Sequence, residues 1–92
     1  MEKDELITQV AQKTGSSIEE VTKILDIFTA SIKEGLGRGE KVTIAGFGTF
    51  SLSKRKAQTF LNPKTQKAHE VPERVLPHFK AGKDLQNHLK DV

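Results

Sequence analysis

The fold is decided by residues 42–52, which read VTIAGFGTFSL. Before the glycines, Val42 and Ile44 alternate with polar or small residues, and after them Phe50 and Leu52 do the same. Such alternation is typical of strands that bury one face. The glycine-flanked Phe47 between them predicts a tight turn. The segment is therefore a predicted β-hairpin with one apolar face, which needs another element to cover it.

A first helix is predicted on the amino-terminal side of this hairpin. Leu6, Ile7 and Val10 recur at helical spacing with Ala11 beside them, and Gly15 supplies a stop signal. With a second helix behind it, the apolar faces meet as helices on one side of a sheet. We therefore predict an α+β fold.

The second helix has the strongest pattern in the chain. Ser17 and Glu20 fit a capping box at its start, in which Ser17 is the N-cap and Glu20 reaches back, and Gly39 is its predicted end. One continuous apolar stripe follows, formed by Val21, Leu25, Phe28, Ile32 and Leu36 and widened by Ile24 and Ile27. A stripe so wide needs burial from more than one side.

The segment from 53 to 77 has few apolar residues, and these stand among charges. Asn62-Pro63-Lys64-Thr65 at its middle indicates a turn. The flanks, 54–61 and 66–75, then pair as a long hairpin with Pro72 at an edge or a bulge. Because an isolated two-stranded hairpin is marginal in water, we expect a mobile arm over about 54–76. A short helix is predicted near 82–90, with Phe79 packing before it.

Length and composition exclude several classes of protein. Ninety-two residues predict one domain, 1–92, with a thin core. Without cysteine there is no disulfide framework, no Cys-ligated zinc site and no thiol nucleophile. No apolar run approaches about 18 residues, so no membrane span and no membrane partner are expected. The acidic start has no signal-peptide core behind it, which predicts a cytosolic protein.

Charge is distributed unevenly along the chain. Residues 1–45 carry 6 basic and 8 acidic residues, whereas residues 46–92 carry 9 and 4. From Lys54 to Lys83 there are 8 basic and 2 acidic residues. Such a segment indicates either a polyanion-binding surface or an ordinary solvated surface.

Nothing in the sequence predicts catalysis. His69, His78 and His88 have no ligand spacing, so we expect no metal. The glycines from Gly35 to Gly39 follow a helix and precede a strand, which is the reverse of a dinucleotide site. The core is small for a pocket of roughly 300 Å³. We therefore predict no enzyme activity, no cofactor and no small-molecule substrate.

A basic two-stranded ribbon, by contrast, can bind DNA. Strands enter DNA grooves, and their Lys and Arg side chains contact phosphates. Pro63 at the ribbon tip is either a wedge between base steps or a plain turn proline. The glycines of the 46–48 turn are either structural or, compatibly, present two exposed amides to a phosphate.

The chain as a whole resembles the bacterial histone-like family of HU and integration host factor. The resemblance rests on short motifs at matching separations: Gly46-Phe47-Gly48-Thr49-Phe50, Arg55, Asn62-Pro63-Lys64-Thr65, Pro77, Phe79, Lys80, Gly82, Lys83 and Leu85. It implies an intertwined dimer, in which two helices and a three-stranded sheet per subunit form a body. It also implies two arms that lie in the DNA minor groove, and a tip proline that intercalates and bends the duplex.

The resemblance also implies roles for individual residues. Arg55 starts the arm, Pro63 is the wedge, and Lys80 and Lys83 hold phosphates on the body. The DNA-binding residues expected by position are Lys3, Gly46, Gly48, Lys54, Arg55, Lys56, Gln58, Leu61, Asn62, Pro63, Lys64, Lys67, Arg74, Lys80 and Lys83. The expected dimer core is Val21, Leu25, Phe28, Ile32, Phe47, Phe50 and Phe79.

Four arm positions depart from the family pattern. Leu61 and Gln58 stand where arginines are common, and Phe60 and Gln66 stand where glycines are common. Fewer arginines predict weaker anchoring in the groove and a flatter salt dependence. The apolar pair Phe60 and Leu61 beside Pro63 predicts a preference for distorted DNA. The changed residue at Gln66 predicts a turn of different shape.

The sequence therefore predicts a DNA-bending protein that tolerates many sequences, compacts bacterial DNA and acts as a homodimer associated with the nucleoid. Two alternatives remain open at this stage. One is a sequence-selective subunit of a heterodimer, and the other is a module whose altered arm binds protein or RNA.

Overall fold

The computed structural model describes the whole chain, Met1–Val92, and divides it into two compact units, Met1–Gly35 and Leu36–Val92. The predicted α+β class and order of elements are confirmed. Those elements are α1 (Lys3–Thr14), α2 (Ile18–Gly37), β1 (Val42–Ile44), β2 (Gly48–Arg55), β3 (Gln58–Leu61), β4 (Ala68–Val71), β5 (Arg74–Ala81) and α3 (Lys83–His88). No helix is both long and apolar enough to cross a membrane.

The first unit has a small core between its helices. Ile7 and Ala11 of α1 are buried together with Val21 of α2, and Leu25 packs against them. The helix α1 ends where the sequence predicts, because Gly15 adopts φ +72° and its N–H donates to the Ala11 carbonyl at 2.9 Å.

The capping box at the start of α2 is only half formed. Ser17 Oγ accepts a hydrogen bond from the Glu20 N–H at 3.1 Å, as predicted. The return bond from the Glu20 side chain is absent, so that part of the prediction is wrong. The helix ends at Gly37, two residues before its predicted end, and Gly39 then takes φ +77°.

A single chain leaves much of the apolar stripe of α2 uncovered. Ile24 is 67% exposed and Phe28 is 50% exposed. An apolar groove of about 200 Å³ runs between α1 and α2, lined by Leu6, Ile7, Val10, Val21, Ile24, Leu25 and Phe28. Burial inside one chain therefore does not explain the width of the stripe.

The second unit contains an antiparallel sheet in the order β1-β2-β5. On its apolar face, Phe79 packs against Phe50 and Phe47 with ring centroids 4.8 and 5.3 Å apart. Pro77 lies inside β5 opposite Leu52. Because β5 is an edge strand, proline is tolerated there.

Beyond the sheet, β3 and β4 form a two-stranded ribbon, which is shorter than the arm predicted over about 54–76 because residues 54–55 and 74–76 pair within the three-stranded sheet. Its pairing, from Gln58↔Val71 to Leu61↔Ala68, keeps the same offset as Arg55↔Arg74 at the end of the sheet. One register therefore runs from the sheet to the tip, interrupted only at 56–57 and 72–73. Pro72 lies in that interruption, where a residue without an N–H removes no ladder bond.

The short helix α3 is tied to the turn before β2. The N–H of Gly82, its N-cap, donates to the Phe47 carbonyl at 2.8 Å. Gln86 Nε2 also donates to the Ala81 carbonyl at 2.9 Å. The helix spans the middle of its predicted range.

Candidate nucleic-acid interface

The ribbon tip is a six-residue loop, 62–67, organised by Asn62. The Asn62 N–H donates to the Lys67 carbonyl at 3.0 Å, and the Asn62 carbonyl accepts from the Gln66 N–H at 2.7 Å. Its side-chain Oδ1 accepts from the Lys64 N–H at 2.9 Å. The predicted turn is confirmed, and Pro63 is held exposed at its start.

Gln66 closes this loop in a left-handed conformation. Its φ of +55° is the only positive φ of a non-glycine residue in the chain. A side chain in this region carries strain of about 1 kcal/mol. The residue that replaces the family's glycine thus adopts the conformation that favours glycine, at some cost in stability.

The sheet presents one face of hydroxyl and basic groups, which we call the polar sheet face. Directly opposite residues of antiparallel strands lie on one face, and so does every second residue along a strand. By this rule the polar sheet face holds Thr43 of β1, Thr49, Ser51, Ser53 and Arg55 of β2, and Arg74, Leu76, His78 and Lys80 of β5. Thr43 Oγ1 and Thr49 Oγ1 are hydrogen-bonded at 3.2 Å.

Three predicted DNA-binding cations share this face. Arg55 is directly opposite Arg74, and Lys80 lies on the same face roughly 20 Å away along β5. All three are exposed. Two like charges directly opposite each other destabilise a strand pair, so the Arg55–Arg74 pair has an electrostatic cost within the chain. An anion between the two guanidinium groups removes that cost.

The remaining predicted residues are divided between other places. Lys54 and Lys56 alternate to the opposite side of β2 and its extension, whereas Lys64 and Lys67 flank the tip. Lys83 is the first residue of α3. In the first unit, Lys3 Nζ forms an ion pair with Asp26 Oδ1 at 2.6 Å, and both side chains are more than half exposed.

The strands of the ribbon carry no Lys or Arg. Of the 8 basic residues between Lys54 and Lys83, only Lys64 and Lys67 belong to residues 57–72, and both are in the loop. The only acidic residue there is Glu70 on β4. Positive charge is therefore concentrated where the ribbon leaves the sheet, and the sequence did not separate this root from the outer ribbon.

The apolar residues Phe60 and Leu61 lie on opposite faces of the ribbon. Phe60 is paired with His69, and Leu61 is paired with Ala68. The two side chains are 53% and 67% exposed. Leu61 lies on the same face as Arg55, and Phe60 lies on the other face. Phe60 and Leu61 therefore do not form one apolar patch. Gln58 lies on the Phe60 face, paired with Val71.

The two turn glycines differ in role. Gly46 is exposed and adopts φ +81°. Gly48 is buried, so the prediction that it exposes an amide is wrong. A Cβ added there would lie 2.6 Å from the Phe79 ring and from the Lys80 carbonyl oxygen. Glycine is thus required at 48 because β2 approaches β5 closely.

The predicted dimer-core residues are mostly half-covered within one chain. Val21 is buried, but Phe28, Phe47 and Phe79 are exposed by 37–50%. Leu25, Ile32 and Phe50 are intermediate. Their remaining exposed area is available to a partner subunit.

Sequence reasoning overlooked the hydroxyl groups and His78 of the polar sheet face. The available signal was the alternation within β2, whose intervening positions are all Thr or Ser up to Arg55. The three histidines lie on β4, β5 and α3, and no cluster of three or more metal-ligating side chains occurs in the chain.

Comparisons with known proteins agree with this geometry. A family described as bacterial DNA-binding protein matches residues 1–90. DNA-binding protein HU of Thermotoga maritima is 46% identical over 90 residues, which cover 98% of this chain and all of that protein. Integration host factor subunit beta of Marinobacter nauticus is 38% identical over 92 residues, covering 99% of this chain and 94% of that protein. A cocrystal structure of Anabaena HU with DNA superimposes with a TM-score of 0.88 at 36% identity, covering 97% of each chain.

Proposed function

The chain belongs to the bacterial DNA-binding protein family. We propose that it holds bent duplex DNA between its polar sheet face and its arm. It is an HU-type architectural DNA-binding protein. Proteins of this type are dimers without enzymatic activity and reside in the cytoplasm on the nucleoid.

The observation that carries the proposal is the Arg55–Arg74 pair at the root of the arm. Two exposed guanidinium groups directly opposite each other are unfavourable unless an anion lies between them. A DNA phosphate is such an anion, and arginine donors match its oxygens in a bidentate geometry. The pair therefore anchors the duplex where the ribbon begins.

The other cations extend this contact to both sides. Lys54 and Lys56 hold phosphates beside the anchor, Lys64 and Lys67 hold them at the tip, and the remaining body contacts come from Lys3, Lys80, Lys83 and the Gly46 amide. Phosphate contacts carry no base information, so binding tolerates many sequences. The Lys3–Asp26 ion pair opens when Lys3 binds DNA.

Pro63 is the bending wedge. It is exposed near the start of the loop, which three hydrogen bonds of Asn62 hold together, so it can enter a base step without losing order. Bending a site costs of order 1–6 kcal/mol, and the flanking phosphate contacts offset that cost.

The dimer is a homodimer whose core includes the uncovered stripe of α2. The groove between α1 and α2 and the half-exposed phenylalanines of the sheet supply its apolar surface. In this arrangement residues 1–92 form one domain, and a partner subunit covers apolar surface that each compact unit leaves exposed. The identity to an integration host factor subunit keeps a heterodimer as the second candidate.

The proposal is tested by measuring how fast short duplexes close into rings in the presence of the protein and of its Pro63→Ala variant. This variant should lose most of the acceleration of ring closure while retaining most of its affinity, because the wedge bends DNA more than it holds it. Pro72→Ala is the matched control, since Pro72 lies in the interruption between the ribbon and the sheet, away from the tip. Unchanged cyclisation by Pro63→Ala contradicts the wedge.

Leu61 and Phe60 bear on which DNA is preferred. We infer that their exposed apolar surface near Pro63 favours gapped or nicked duplexes, in which a base step is already open. Affinities of the protein and of its Leu61→Ala and Phe60→Ala variants for gapped and intact duplexes test this. Equal affinities for the two duplexes refute it.

A further inference from the structure

His78 occupies the middle of the polar sheet face and has no role in the function proposed above. It is exposed on β5 directly opposite Ser51, and Lys80 and Leu76 are the next residues of β5 on the same face. The polar sheet face thus presents an imidazole between Lys80 at one end of β5 and the Arg55–Arg74 pair at the other.

No carboxylate shares this face of the sheet. The groups that flank His78 there are the hydroxyls of Thr49, Ser51 and Ser53 from β2, with Thr43 on β1 behind them, and Lys80 and Arg74 from β5. The polar groups around a protonated imidazole at this place are therefore only cations and hydroxyls, and the apolar Leu76 lies between His78 and Arg74. The counter-charge available to the imidazole is an anion supplied from outside the chain.

The other two histidines have different surroundings. His69 lies on the ribbon opposite Phe60 and next to Glu70. His88 ends α3, one helical turn after Asp84 and three residues before Asp91. Each has an acidic neighbour in sequence, which His78 lacks. Only His78 belongs to the polar sheet face, which includes Arg55, Arg74 and Lys80.

We propose that His78 is a further DNA-contacting residue, whose imidazole binds a phosphate of the duplex lying across the polar sheet face. The inference rests on the proposed function, because it needs DNA on that face. Histidine is the side chain whose charge changes between about pH 5 and 8. Neutral His78 donates one hydrogen bond, whereas protonated His78 also neutralises a phosphate and releases a counterion.

The consequence is a salt dependence of DNA binding that steepens as pH falls. Each phosphate that a cation neutralises adds about 0.9 to the slope of log affinity against log salt. For each His78 in contact with DNA, the slope should therefore increase by up to about 0.9 between about pH 8 and about pH 6. At moderate salt, affinity should rise several-fold over the same interval.

The experiment measures affinity for a duplex of roughly 30 base pairs over a salt series, at about pH 8 and about pH 6. We expect His78→Gln to lose the steepening and to bind almost as the parent does at the higher pH. His78→Lys carries a fixed charge, so its slope should be steep at both pH values. His69→Gln and His88→Gln are the matched controls and should retain the pH effect.

Persistence of the steepening in His78→Gln, or its absence in the parent, overturns the assignment of His78. A steepening that disappears in His69→Gln instead assigns the contact to the ribbon and also overturns it. Failure of the proposed function is distinguishable from these results, because the parent then shows no salt-dependent binding or bending even at the higher pH, where His78 is not needed.

Discussion

The sheet and the outer ribbon are built from the same two stretches of chain in one register, yet along the first stretch they differ in burial. In β2 most residues are buried or half-buried, whereas all four residues of β3 are exposed. The sheet has a third strand and a cluster of phenylalanine rings on one face, and β3–β4 has neither. Continuous pairing alone thus does not build a core, and the ribbon depends on the sheet for its position.

In the proposed function the two regions also divide the work of binding DNA. The sheet end holds the paired arginines of the root, whereas the ribbon strands hold no Lys or Arg and carry Pro63, the proposed wedge, in the loop that joins them. The proposal therefore assigns anchoring and bending to different segments, which single substitutions can separate.

Phe79→Ala should have the largest effect on stability, because it removes the ring that contacts both Phe47 and Phe50. One chain leaves Phe79 37% exposed, so we expect a loss of about 3–5 kcal/mol in urea unfolding at fixed protein concentration if a partner subunit buries the rest of the ring. Phe60→Ala removes a phenylalanine ring from the exposed ribbon and should change the free energy of unfolding by less than about 0.5 kcal/mol. Similar losses for the two variants contradict the contrast between the regions.

Gly48→Ala should destabilise the sheet by about 1–3 kcal/mol, because the added Cβ overlaps backbone and ring atoms of β5. Gly37→Ala is its control, since a Cβ at the end of α2 meets nothing within 4 Å. Thermal unfolding of both variants measures the difference. If Gly48→Ala is as stable as the parent, the close approach of β2 to β5 is not a constraint.

Arg55→Ala should weaken DNA binding by about 1.5 kcal/mol and flatten the salt slope by about 0.9 for each lost phosphate contact. The loss should be equal for unrelated duplexes, and folding stability should not fall, since the variant relieves the repulsion from Arg74. Lys33→Ala, outside the interface, serves as the control. A loss that depends on base sequence favours the sequence-selective heterodimer.

Gln66→Gly should have the smallest effect, confined to the ribbon. Glycine adopts the left-handed conformation without strain but is freer in the unfolded chain, which leaves a gain of about 0.5 kcal/mol. Hydrogen exchange of the Asn62 amide should slow roughly twofold, because that amide bonds across the loop. Gln66→Ala retains a Cβ and should show no such protection. A shift of the global unfolding midpoint instead indicates that the ribbon and the sheet unfold together.

The elements with a clean local pattern were predictable from their residues. The two long helices, the β1–β2 hairpin and the loop at Asn62 each have a period or a turn signal of their own. Strand β5 was not predictable from its residues, because the adjacent apolar residues Val75 and Leu76 break the two-residue alternation and Pro77 lies within the strand. The third strand of the sheet was implied by the family resemblance, and its pairing with β2 is a long-range contact that no local pattern encodes.

Most candidate DNA-binding residues were likewise named from sequence, but not their grouping. The exposed amide assigned to Gly48 was wrong, because burial depends on how closely β5 approaches. The Arg55–Arg74 pairing and the place of His78 were not visible, because each depends on residues about 20 or more positions apart in the chain.

By itself the sequence determined the helices, the hairpin, the turn proline and the excess of positive charge after residue 45, since these depend on neighbours within a few positions. The tertiary structure alone decided which side chains share a face. One register from Gly48 to the tip places Arg55 opposite Arg74, His78 opposite Ser51, and Leu61 on the same face as Arg55. The physical reason is the two-residue period of a strand, by which a shift of one position moves every side chain to the opposite face.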